Sequence, residues 1–163
     1  MIGNNFEFFK RHYFKNPGLF LKKMYHQLFY RKKIVFDYIS RQDTVAAYKA
    51  ADLFLFPSNV ECSPIVLFEC AAAKLPFLAT NVGNSIEIAS WTKGGEIMPT
   101  EIDNQGFSHA DIGKAARMVE ELYANKEKRN RMANEAFSIW KQKYSWEVIA
   151  KEYEKLYNNL LKS

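Results

Sequence analysis

Leu53-Phe-Leu-Phe56, followed by Pro57-Ser-Asn-Val-Glu-Cys-Ser-Pro-Ile-Val-Leu-Phe-Glu-Cys-Ala-Ala-Ala73, decides the fold of this chain. The first four residues form an uninterrupted apolar run of strand length, as expected for a strand covered on both faces. Ser63 reads as an N-cap and Pro64 as the first helical residue, where a missing N–H costs nothing, so a helix is expected from Pro64 to Lys74. A strand turning directly into a helix belongs to an open α/β sheet, and ligands lie at the carboxyl ends of such strands. The helix start adds free N–H groups and a positive dipole end, both suited to phosphate. Glu61 and Glu69 flank that start, and carboxylates accept hydrogen bonds from hydroxyl groups. The stretch therefore suits a ligand rich in phosphate and hydroxyls, such as a nucleotide sugar.

The spacing sharpens the roles. Ser63 takes one of the N–H groups of Ile65 and Val66, which leaves at least one for a phosphate oxygen. Glu69 lies five residues after Pro64, about 7 Å along the axis, and its side chain leans back toward the helix start. Glu61 precedes the helix and faces the other side of the phosphates.

Outward from this stretch the pattern repeats. Pro76-Phe-Leu-Ala-Thr80 reads as the next strand, ended by Asn81-Val-Gly-Asn84. A turn of helix at 85–89 leads through Gly94-Gly95 to a short strand, Glu96-Ile-Met98. Residues 100–108 have the composition of a surface loop. Three amphipathic helices follow, with faces led by Ile112, Ala116, Val119 and Tyr123, then Met132, Ala136 and Trp140, then Ile149, Tyr153, Leu156 and Leu160. Upstream, Asp43 to Ala51 reads as a helix packed through Val45, Ala46 and Tyr48, and Ile34-Val-Phe-Asp-Tyr-Ile39 as a strand. Phe6 to Phe14 and Leu19 to Tyr30 read as helices broken by Asn16-Pro17-Gly18. Alternating strands and helices give an α/β class: a Rossmann-like, doubly wound parallel sheet with flanking helices.

Composition agrees with a globular domain: 163 residues, 48% hydrophobic and 25% charged. The net charge of +5 is concentrated in Lys10 to Lys33 and Lys126 to Lys143. Such a balance helps to hold anionic substrates, and it reads here mainly as a solvated surface. In and just before the first basic stretch, Phe6, Phe9, Tyr13, Phe20 and Phe29, together with Met24, have helical spacing, which favours core packing over a membrane or nucleic-acid surface. Cys62 and Cys70 stand about 12 Å apart along a helix, too far for a disulfide. No pair of cysteines has metal-ligand spacing, so a reducing compartment is expected. Cys62 as a nucleophile needs a base, and His12, His26 and His109 are distant in sequence, so an inert thiol is the expected state. No apolar run approaches the roughly 18 residues needed to span a bilayer.

Tyr48-Lys-Ala-Ala-Asp-Leu-Phe-Leu-Phe-Pro-Ser58, Glu61-x7-Glu69, Leu75-Pro-Phe-Leu-Ala-Thr-Asn-Val-Gly83, Glu87 and Tyr144-Ser-Trp146 occur in this order. From about Ile34 to Leu161 the chain resembles the C-terminal, donor-binding domain of retaining glycosyltransferases of the GT-B fold, of the family 4 or group 1 type. The resemblance implies that Glu69 binds the ribose hydroxyls and that Glu61 contacts the donor sugar as the catalytic carboxylate. It implies that the backbone around Ser63, Ile65 and Val66 holds the diphosphate, and that the strand end at Tyr38 and Ile39 lies against the nucleobase. No metal or other cofactor is implied, because helix dipole and basic side chains stabilise the leaving charge.

The resemblance also implies a donor-binding half whose acceptor is held mainly by a first domain. Met1-Ile2-Gly3 looks like the end of a strand inside the second domain, so residues 1–163 are expected to be one partial, N-terminally truncated domain that does not transfer sugar alone. A cytoplasmic location is expected, with peripheral contact at a membrane's inner face left open, and no nucleic-acid partner. Two departures stand out: Cys62-Ser-Pro64 replaces a run of small residues such as Gly-Phe-Gly, and Asp37 or Tyr38 replaces a glycine. The alternatives are a non-catalytic nucleotide-binding or interaction module and a fragment of a related two-domain sugar-nucleotide epimerase.

Overall fold

The computed structural model describes residues 38–162, together with residues 18, 21, 24, 25, 28, 29 and 35. The chain divides into two compact units, Met1–Thr44 and Val45–Ser163. The elements are α1 (Arg41–Ala50), β1 (Phe54–Phe56), α2 (Ile65–Ala72), β2 (Phe77–Ala79), α3 (Ser85–Thr92), β3 (Gly95–Ile97), β4 (Thr100–Ile102), β5 (Ser108–Ala110), α4 (Ile112–Ala124), α5 (Lys126–Lys143) and α6 (Trp146–Leu160).

β1, β2 and β3 form a parallel sheet in that order, with Phe54 opposite Phe77 and Phe77 opposite Gly95. Every residue of the central strand β2 is buried. Strand alternation sends Phe77 and Ala79 to one face and Leu78 to the other. Phe77 and Ala79 join Leu67 and Cys70 of α2 and Ile88 of α3. Leu78 joins Met98, Leu122 of α4 and Met132 of α5. Helices therefore cover both faces, and the expected parallel α/β layering is the observed one.

Local chemistry moves several boundaries. Pro64 has φ −75° and ψ 90°, which is extended, so helical dihedrals begin at Ile65 and Pro64 itself is the N-cap. Ser63 is accordingly outside the helix and does not cap it, contrary to the sequence reading. α2 also stops before Lys74. Lys74 is left-handed at φ 57°, Leu75 N–H donates to Cys70 O at 2.9 Å and Lys74 N–H to Ala71 O at 3.2 Å, a Schellman ending.

β1 is corrected too. Leu55 is 48% exposed while Phe54 and Phe56 are half-buried, so this apolar run is not covered on both faces. Among the described residues β1 is an edge strand, and only β2 has the double covering that such a run suggests. Residues 100–108 are not a plain loop: β4 and β5 pair antiparallel, with Thr100 opposite Ala110.

The C-terminal helices differ in their buried faces. In α4 the stripe is Ala115, Met118, Val119 and Leu122, whereas Ile112 and Tyr123 are both 82% exposed. A 3.6-residue period admits adjacent frames, and packing against Leu78 and Met132 selects this one. Met132 and Ala136 of α5 are buried as expected, but no residue of α6 is, and Tyr153, Leu156 and Leu160 are exposed. In α1, Val45 is exposed and Tyr48 alone of the three expected residues is half-buried, its ring 5.3 Å from that of Phe54.

In the Met1–Thr44 unit, residues 18, 21, 24, 25, 28 and 29 are helical, in agreement with a helix at 19–30. Met24 and Phe29 are more than half exposed, so core packing does not hold for them. The helix expected at Phe6 to Phe14 lies outside the described residues. So do Ile34, Phe36 and Asp37 of the expected strand, while Val35, Tyr38 and Ile39 are not in a strand. Among the described residues no helix is long and apolar enough to cross a membrane.

Helix ends yield one direct expectation. Asn125 sits between α4 and α5, and its side chain accepts from Lys128 N at 2.8 Å. Asn125→Ala removes this cap and is expected to lower stability by about 1 kcal/mol in urea unfolding, leaving the slope unchanged.

Candidate functional site

Because the strands are parallel, their carboxyl ends share one edge of the sheet. Three connections leave there: residues 57–64 after β1, residues 80–84 after β2, and the β4–β5 hairpin beyond β3. The first carries Glu61, which is exposed. Ser58 Oγ donates to Glu61 Oε1 at 3.0 Å and lies 3.1 Å from Val60 O. The Ser58 carbonyl accepts in turn from Thr80 Oγ1 at 2.5 Å, and Thr80 is fully buried at the end of β2. The Glu61 carboxylate is thus tied, through one serine, to the middle of the sheet.

The second connection supports the same loop from beneath. Gly83 has φ +50°, and a Cβ there would stand 2.2 Å from Cys62 O and 2.9 Å from Glu61 O. Asn84 N–H donates to Cys62 O at 3.3 Å. Only glycine satisfies both the left-handed dihedral and the close approach. The sequence reading took 81–84 merely as a strand ending; the signal available was a glycine directly after a buried strand.

The third connection braces the loop laterally. Asn59 O accepts from Ser108 N at 2.9 Å, and Asn59 Nδ2 reaches Ser108 O at 2.8 Å and His109 Nδ1 at 3.0 Å. Asp103 closes the hairpin. Its Oδ1 accepts from Gln105 N at 2.8 Å and Phe107 N at 3.0 Å, and its Oδ2 lies 2.8 Å from His109 Nε2.

The hydrogen bond from His109, then those from the Phe107 and Gln105 amides, hold the Asp103 carboxyl below the usual carboxylate range. A depressed carboxyl stabilises the fold above its unfolded value and loses that contribution as pH falls through its folded value. The protection of the Gln105 and Phe107 amides, their exchange rate relative to that of an unstructured amide at the same pH, is therefore expected to hold at neutral pH and to fall only below the ordinary Asp value of about 4.

α2 presents the remaining residues. Its N-cap is a proline with no side-chain acceptor, and no side chain closes the helix start. The first-turn N–H groups, those of Ile65 and Val66 among them, are the ones an α-helix leaves without intrahelical partners. Ile65 is 63% exposed, and Val66 is half-buried against the Phe77 core. Ser63 is exposed in the loop before them, and Glu69 is half-buried in the second turn. Burial, and then the neighbouring Glu69 carboxylate, push the Cys70 thiol far above its ordinary range, so it is not a nucleophile. Cys62 is exposed, and both cysteines are free.

The β1–α2 connection and the first two turns of α2 therefore carry Glu61, Ser63, Ile65, Val66 and Glu69. Tyr38 and Ile39 belong to the Met1–Thr44 unit, where both are exposed. An open helix start between two carboxylates can bind an anion and its neighbouring hydroxyls at once.

The family of glycosyl transferases group 1 matches residues 19–138. An uncharacterized glycosyltransferase of Methanocaldococcus jannaschii is 30% identical over 140 residues, covering 85% of this chain and 33% of that protein. A probable sucrose-phosphate synthase of Thermosipho melanesiensis is 28% identical over 108 residues, 66% of this chain and 22% of that one. A capsular polysaccharide biosynthesis glycosyltransferase of Staphylococcus aureus is 25% identical over 120 residues, 74% of this chain and 29% of that one. Among solved structures, a sucrose-phosphate synthase from Thermosynechococcus elongatus superposes with a TM-score of 0.66 at 21% identity, over 91% of this chain and 35% of that one. This likeness shows the fold. The chain spans a third or less of the length of the curated relatives it matches.

Proposed function

The chain belongs to the group 1 glycosyl transferase family, and we propose that it forms the donor-binding half of an enzyme that transfers a sugar from a nucleotide sugar to an acceptor with retention of configuration. One observation carries this reading: an exposed, braced carboxylate precedes an uncapped helix start, and a half-buried one follows in the second turn of that helix.

In this reading the diphosphate lies at the start of α2, against the N–H groups of Ile65 and Val66 and beside Ser63. The helix dipole stabilises the charge that develops on the diphosphate as the glycosidic bond breaks. A metal ion is not required for that task. Glu69 accepts hydrogen bonds from the ribose hydroxyls, and Glu61 acts on the donor sugar as the catalytic carboxylate. Tyr38 and Ile39 contact the nucleobase. The acceptor is a hydroxyl-bearing molecule, such as a sugar or glycan, held by a domain outside residues 1–163, and the reaction takes place on the cytoplasmic side.

The test is turnover of UDP-, GDP- and ADP-linked hexoses by the full-length protein, with the product anomer read by NMR. Transfer with retention is expected, and Glu61→Ala is expected to lower it by roughly 10²-fold or more while folding is kept. Nucleotide binding without transfer would favour a non-catalytic module, and unchanged transfer in the variant would remove Glu61 from the chemistry.

A further inference from the structure

Asn59 holds a position in the β1–α2 loop that its composition does not announce. Its backbone carbonyl and both hydrogens of its amide are spent on β5: Ser108 N–H donates to Asn59 O, and Nδ2 donates to Ser108 O and to His109 Nδ1. With Nδ2 as the donor, Nδ1 must accept. The single proton of the neutral ring is then on Nε2, facing Asp103 Oδ2 at 2.8 Å. Asp103 is itself fixed by the two amides of the hairpin turn. The loop that carries Glu61 is thus braced by a chain running Asp103, His109, Asn59, one residue from Ser58, whose hydroxyl meets the Glu61 carboxylate.

We infer that Asn59 is a positioning residue for the Glu61 loop, locked by neutral His109 and released when the imidazole is protonated; its bearing on activity rests on the donor-site reading above. Protonation makes Nδ1 a donor and sets two donors against each other. Turning the Asn59 amide to present its oxygen would forfeit the bond to Ser108 O, so the brace loses a hydrogen bond either way.

The charged groups around His109 are Asp103, Glu101 opposite it across β4–β5, and Asp111 two residues on. Lys114 pairs with Asp111 at 2.8 Å, Arg117 acts on the same carboxylate, and Glu61 lies two residues beyond Asn59. Acidification, which charges an imidazole, drives the release.

The experiment is an NMR titration of the ¹⁵N-labelled chain from about pH 5 to 8, the range in which imidazoles charge. The His109 ring and the backbone amides of Val60, Glu61 and Cys62 are expected to shift with one common midpoint. In His109→Asn, whose Oδ1 stands at the δ position and can still accept from Asn59 but cannot charge, those three amides are expected to stay flat. The inference is overturned by loop amides that ignore the His109 titration in the wild type, or that still titrate in the variant. UDP-hexose and GDP-hexose affinity, followed in parallel, is expected to fall about fivefold across the same range in the wild type and to stay level in the variant, the equivalent of one hydrogen bond. Absence of UDP-hexose and GDP-hexose binding at every pH would count against the donor site, while the amide shifts still decide the brace.

Discussion

Gly83→Ala is expected to displace the Glu61–Cys62 backbone and to lower both stability and donor use. A side chain at φ +50° costs about 1–2 kcal/mol in the left-handed region. The added Cβ would also stand 2.2 Å from the Cys62 carbonyl oxygen, which is backbone and cannot swing aside like a side chain. The loop must therefore lift. Displacement of a catalytic group by about 1 Å can cost roughly 10²-fold in rate, so transfer is expected to fall by about that factor. Gly106→Ala separates strain from clash. Gly106 has φ +85° with nothing within 4 Å of a built Cβ, so only the strain is expected there. Equal losses of transfer in the two variants would show that Gly83 is not a support for Glu61.

The largest stability effect is expected at Phe77. It is fully buried at the centre of the sheet, touching the core shared by α2 and α3, and its truncation to alanine is expected to cost about 3–5 kcal/mol in urea unfolding. Its ring also occupies the space over Gly95 on β3, where a Cβ would lie 2.2 Å from ring carbons. Gly95→Ala alone should therefore destabilise by forcing the ring aside. In the double variant the ring is gone, so the combined loss is expected to be smaller than the sum of the single losses. Strict additivity would mean that the two positions do not share that space.

Much of this architecture could be read from the chain, for identifiable reasons. β2, buried on both faces, announced itself because a fully covered strand has no polar position to blur the pattern. The start of α2 was located to within a residue because proline restricts the dihedrals at 64, although it is Pro64 and not Ser63 that caps. Glu61 and Glu69 could be paired as candidates because they lie close in sequence, one before α2 and one within it.

What escaped was mostly long-range. The hairpin at 100–110 has strands of three residues each, too short for alternation to register. Its closure depends on Asp103 meeting His109, six residues on. Asn59 meets Ser108 across 49 residues, and Gly83 meets Cys62 with all of α2 and β2 between them; no local pattern encodes either. The frame of α4 was misjudged because helical spacing accepts Ile112 and Tyr123 as readily as Met118 and Leu122. Only packing against Leu78 and Met132 chooses between them.

The central claim is that the β1–α2 connection binds the nucleotide part of a sugar donor. Calorimetric titration of UDP and GDP into the wild type and Glu69→Ala tests it most directly. Binding of at least one nucleotide by the wild type, weakened roughly tenfold or more in Glu69→Ala by loss of charged hydrogen bonds to the ribose, is the expected result. Equal affinity in the two proteins, or no binding of either nucleotide by the wild type, would contradict it.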